Sequence, residues 1–165
     1  MVTADLRDLL PVIAAREAAD PESYPAETVA DLYGLGLPQG PFPGALGGAG
    51  LSLQESVDAI EALATASPSA ALIICMPLGL AGLYGLGPGA APAQYRDAFW
   101  EQAERVAADY RAGRVYAACN SERGAGGSLA ATKTVAERRD GRFLLTGEKI
   151  LASSGRFAST FYSTA

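Results

Sequence analysis

The sequence predicts an α+β fold: an N-terminal all-α helical domain over residues 1–113, then an incomplete antiparallel β-barrel or sandwich over 114–165. Three observations carry this. Phe99, Ala103, Val106 and Tyr110 recur at i, i+4, i+7 and i+11, the spacing of one helix face, and similar stripes occupy most of the chain before them. From Arg114 the pattern changes to short β-prone runs. Between two of those runs stands Asp140-Gly141, a pair suited to a two-residue hairpin turn.

Taken in order, Leu6, Leu9, Leu10 and Ile13 form a first helix face, with Pro11 expected to restart or kink it. A second helix should follow Pro25 and end at Gly34. Residues 35–50 carry three Pro and several Gly, so a loop is expected there. Ser52 and Glu55 read as a capping box that opens a third helix with Leu53, Val57, Ile60 and Ala64 on one face. Pro68 suits the first turn of a fourth helix, apolar on nearly every side and expected to be buried, with a kink at Pro77. The fifth helix closes at Gly113. Strands are expected over 115–119, 132–137, 142–146, 148–152 and 158–164, with the last edge left for another chain or segment to pair.

Composition narrows the function. Hydrophobic residues at 49% and charged residues at 19% place the chain with folded domains. A net charge of −5 without a basic stripe argues against nucleic acid. The apolar run 70–76 is shorter than the ~20 residues of a spanning helix, and no cationic leader precedes Asp5 and Asp8, so a cytoplasmic protein without membrane partners is expected. Cys75 and Cys119 form no Cys-x-x-Cys pair and read as small hydrophobes. With no His, the commonest general base and metal ligand is missing, and no metal site is expected.

The run Cys119-Asn120-Ser121-Glu122-Arg123-Gly124-Ala125-Gly126-Gly127-Ser128 surrounds a glycine cluster with hydroxyls and backbone N–H groups that can hold an anion. Taken with the loop 44–50, the turn Gly147-Glu148-Lys149 and Ser153-Ser154-Gly155, the chain resembles the acyl-CoA dehydrogenase superfamily from end to end. That resemblance implies a helical domain, a middle β-barrel and a C-terminal helical bundle, FAD as cofactor, an acyl-CoA or similar substrate, and homo- or hetero-oligomers. Here it covers the helical domain and about the first half of the barrel.

Carried over position by position, the resemblance implies cofactor binding at Cys119, Ser121, Gly126, Gly127, Leu151 and Ser153. Ser121 would lie beside the flavin pyrimidine ring and Ser153 would donate to flavin N5. Four positions depart from the family pattern. Asn120 replaces an aliphatic residue, Gly127 the hydroxyl that contacts the pyrophosphate, Ser128 an Asp, and Leu151 an aromatic. Glu148 and Lys149 are expected on opposite faces of a solvated strand, and Glu122 is expected to hold the glycine loop rather than act as the base. The catalytic base of α,β-dehydrogenation would come from the C-terminal bundle, so the chain is expected to be partial and inactive alone. Two alternatives stand beside this reading: a flavin-dependent monooxygenase of the related desulfurisation type, and a non-catalytic subunit that completes its barrel with another chain.

Overall fold

The computed structural model describes residues 2–165, with side chains from Asp5 onward. Its helices are α1 (Val2–Ala19), α2 (Ala26–Gly34), α3 (Leu53–Ala66), α4 (Pro68–Gly85) and α5 (Arg96–Arg111). Its strands are β1 (Tyr116–Cys119), β2 (Val135–Arg139), β3 (Arg142–Thr146) and β4 (Thr160–Ser163). The chain forms two compact units, Met1–Arg114 and Val115–Ala165.

In the helical unit, Leu6 and Ile13 of α1, Leu32 of α2, Ala59 and Leu63 of α3, and Ala70, Ala71, Ile74 and Leu78 of α4 form one buried cluster, which Leu37 joins from the loop after α2. That packing carries α1 and α4 past their prolines: Pro11 and Pro77 both lie inside continuous helices. Each removes one backbone bond. The carbonyl freed by Pro11 belongs to Arg7 on an exposed turn, where water can reach it. Pro77's own carbonyl accepts the buried Tyr110 hydroxyl at 2.9 Å, which ties α4 to α5.

The capping box forms as expected. Glu55 Oε2 accepts from the Ser52 N–H at 2.8 Å and from the Ser52 hydroxyl at 2.7 Å, while the Glu55 N–H donates back to Ser52 Oγ at 3.2 Å. These bonds from Ser52 hold the Glu55 carboxyl below its usual range. α3 buries Ser56, Ala59 and Leu63, whereas Leu53 stays 82% exposed. Leu53, Val57, Ile60 and Ala64 instead line an open apolar groove of about 950 Å³, together with Cys75, Gly79, Gly82 and Leu86 of the α4 side. α4 is the one described helix long and apolar enough to cross a membrane by length and composition, yet Ala70, Ala71, Ile74 and Leu78 belong to the core and Leu72 is exposed.

The loop after α2 folds back on itself. Gly40 O accepts from the N–H groups of Ala49 and Leu51 at 3.0 Å, and Phe42 is buried against Tyr84 and Tyr110. Gly48 is required there, because a Cβ would collide with the Phe42 carbonyl.

The strand unit contains two separate two-stranded sheets and no closed barrel among the described residues. β2 and β3 form the expected antiparallel hairpin, Val135 opposite Thr146 and Arg139 opposite Arg142, with Asp140 and Gly141 both at positive φ as the turn requires. The other pair differs from the antiparallel expectation: β1 and β4 run parallel, from Tyr116 beside Thr160 to Cys119 beside Ser163. Residues 148–152 form no strand either. Ile150 N–H makes one backbone bond, to Ser121 O, and a left-handed Ser154 then turns the chain. The apolar residues of the hairpin, Phe143, Leu144 and Leu145, are exposed.

Two changes on α4 separate core from surface. Ile74→Ala is expected to cost about 2–5 kcal/mol of unfolding free energy and Leu72→Ala no more than about 0.5 kcal/mol, read by chemical denaturation. Ser52→Ala should cost about 1 kcal/mol through the lost cap.

Candidate functional site

A carboxylate organises the glycine-rich segment. Beyond β1 the chain turns at Glu122, whose N–H donates to Gly126 O and whose carbonyl accepts from Gly126 N–H, both at 2.9 Å. Gly124 and Gly126 take positive φ, which lets this turn close. The Glu122 side chain points inward and is 4% exposed. Its Oε1 accepts from Lys149 Nζ at 2.7 Å, the Thr134 hydroxyl at 2.6 Å and Thr134 N–H at 3.0 Å, and its Oε2 accepts from Lys133 N–H at 2.6 Å. Lys149, then the Thr134 hydroxyl and the Lys133 amide, hold the carboxyl down at about 2 against the opposing effect of burial. Gly147 permits the approach, since any Cβ there would strike Thr134.

Lys149 therefore departs from the solvated strand position expected for it. Its side chain is 13% exposed, and Nζ also reaches Asn120 O at 3.5 Å and Thr164 Oγ1 at 3.3 Å. Glu148 does stay in solvent, with 73% exposure and Arg123 at 4.0 Å. The difference is physical: a buried carboxylate draws the nearest long cation inward.

Around this hub the sequence-derived site residues take the following places. Cys119 is half-buried at the end of β1; burial raises its thiol pKa, opposed by Lys149, and its carbonyl accepts the Ser163 hydroxyl at 2.9 Å. Ser121 is half-buried and receives the Ile150 N–H at 3.0 Å, which lays residues 120–122 beside 149–151. Leu151 follows there, 67% exposed. Gly126 and Gly127 sit on the loop surface with open space where a Cβ would be, and among the described residues the Gly127 N–H donates to no backbone carbonyl. Ser153 is half-buried in the turn closed by Gly155 N–H on Ala152 O at 2.9 Å, and no hydrogen bond joins Ser153 to residues 119–127 among the described residues. Nothing local in the sequence marks Thr134 and Lys149 as partners of Glu122. Cys75, read as a small hydrophobe, is half-buried on the groove, and burial raises its thiol pKa.

The helical unit matches the family model of the acyl-CoA dehydrogenase N-terminal domain over residues 6–111. The chain belongs to the acyl-CoA dehydrogenase family. It is also similar to a "probable medium-chain specific acyl-CoA dehydrogenase 2, mitochondrial" of Caenorhabditis briggsae, 28% identical over 140 residues that cover 84% of this chain and 32% of that protein. The chain thus spans about a third of the length of this curated relative. That match is longer than the helical unit, so the similarity to an acyl-CoA dehydrogenase extends into the strand unit that carries Glu122 and the glycine loop.

The hub gives a pH test. The folded pKa of Glu122 lies below the ordinary 4.5, so its stabilisation is complete above about 4.5 and fades as pH falls toward about 2. Protection of the amides of residues 133–150, taken relative to intrinsic exchange at each pH, should fall over that window, and Lys149→Met should flatten the dependence.

Proposed function

We propose that the chain supplies part of an FAD-dependent oxidoreductase of the acyl-CoA dehydrogenase type, acting by α,β-dehydrogenation of an acyl-CoA thioester. The observation that carries this reading is the Glu122-anchored glycine loop lying beside residues 149–151 in a chain of this family. Family members are FAD-dependent, and the residues present fit that cofactor in kind. The Gly126-Gly127 surface offers a backbone N–H that meets no backbone carbonyl among the described residues, suited to a phosphate oxygen even though Gly127 lacks a hydroxyl. Ser121 and Ser153 are half-buried hydroxyls, and exposed Leu151 offers an apolar wall. When bound, FAD would supply the hydride acceptor for the oxidation.

In this reading the chain's own residues bind and orient. Glu122 and Lys149 fix the loop, and Ser121 and Ser153 are the hydroxyls that would hold the flavin ring. Glu122 is unsuited to removing the substrate's α proton: four donors occupy its oxygens, and a carboxyl held at about 2 is a weak base at neutral pH. We assign the base to the part of the family fold that these residues, which span about a third of the curated relative, do not cover. We place this assembly in the cytoplasm.

Three outcomes follow. The 165-residue chain alone should show no acyl-CoA dehydrogenation above background, since a missing general base alone costs about 10²- to 10⁴-fold. Ser153→Ala should weaken FAD binding several-fold while leaving the melting temperature unchanged. Intact mass and flavin absorbance of the native species from its source should reveal a flavin-bearing assembly larger than 16.9 kDa. A colourless, lone 16.9 kDa species that does not respond to FAD would contradict the proposal.

A further inference from the structure

We propose that the β2–β3 hairpin of one copy docks into the apolar groove beside α3 and α4 of a second copy of this chain, with Phe143 and Leu145 entering the groove and Arg138 meeting Glu61.

Both surfaces are apolar and uncovered. A two-stranded hairpin is marginal in water unless one of its faces packs against something. In the β2–β3 register Arg138 stands opposite Phe143 and Ala136 opposite Leu145, so these four side chains share one face. Phe143 is 69% exposed and Leu145 57%. The groove supplies the matching hollow. Leu53 and Val57 of α3, and Leu83 and Leu86 on the α4 side, line it and are exposed. Gly79 and Gly82 line it as well, with open space where a Cβ would be, which leaves room for an incoming ring. Contiguous exposed apolar surface of this kind marks an interaction site.

Charge selects which surface meets which. Glu61 is the charged residue among those lining the groove, Arg138 is the charged residue on the hairpin's Phe143 face, and both are exposed. Neither takes part in a salt bridge among the described residues. The units as wholes have the same sense: the helical unit carries fourteen Asp and Glu against six Lys and Arg, the strand unit four against seven. Like units repel and unlike units attract, which favours hairpin on groove over groove on groove or hairpin on hairpin. A second copy is the occupant because each chain carries both complementary faces, so every copy can offer its hairpin to the groove of another.

The test is sedimentation of the 165-residue chain over a range of concentrations, with Phe143→Ser, Glu61→Arg and Arg138→Glu beside the wild type. The wild type should associate reversibly with a dissociation constant below about 1 mM. Phe143→Ser removes the aromatic anchor and should raise that constant roughly tenfold or more. Glu61→Arg and Arg138→Glu each set like charges against one another and should each weaken association to a similar degree when alone. Mixed in equal amounts, these two variants bring opposite charges together again at both contacts, and association should return to near the wild-type level. All three positions are exposed, so circular dichroism should be unchanged; if Phe143→Ser disrupts the hairpin, the two charge variants and their mixture carry the test. A wild-type chain that stays monomeric throughout overturns the proposal and leaves the groove to another occupant. Association that the variants leave within about twofold of wild type, or that mixing the charge variants fails to restore, overturns it as well.

Discussion

A carboxylate withdrawn from water has to be surrounded by donors, and the donors that Glu122 collects come from separate stretches of chain: the amides of 133–134, the Thr134 hydroxyl and the Lys149 ammonium. The strand unit has little else to organise it. Tyr116 and Ala117 are buried, but Phe143, Leu144, Leu145, Leu151 and Phe161 lie open, so apolar burial does not set the path of its loops. The ion pair does. It fixes the glycine turn at one end and lays residues 149–151 beside Ser121 at the other, and every candidate cofactor contact lies on one of those stretches or continues from it. A buried pair of this kind contributes uncertain net stability but penalises every arrangement that separates its members.

The helical unit follows a different logic. Its stability lies in an apolar cluster drawn from α1 to α4, strong enough to keep two prolines inside helices. α3 uses two apolar faces, one buried through Ala59 and Leu63 and one lining the groove through Leu53, Val57 and Ile60.

This contrast explains what the sequence made legible. Helix starts and stops are local: Ser52 with Glu55, Pro68 and Gly113 each act on backbone groups within a turn of themselves, and each could be read directly. The Asp140-Gly141 hairpin is local as well. The face α3 buries depends on what packs against it, and a stripe of Leu53, Val57, Ile60 and Ala64 looks the same whether it meets a core or a groove. The parallel pairing of β1 with β4 joins residues such as Tyr116 and Thr160, far apart in the chain and joined by no turn signal. In the site, the glycine loop and its carboxylate were visible as residue types, whereas the inward turn of Lys149 was not, because it answers a charge 27 residues away.

We propose that the Glu122 hub presents residues 119–127 and 149–155 as one flavin-binding surface. Amide chemical-shift mapping of the isotopically labelled chain during FAD titration tests it most directly. The account predicts saturable shifts concentrated in those two stretches, lost together in Glu122→Gln. Shifts confined to the helical unit, or none at all, would contradict it.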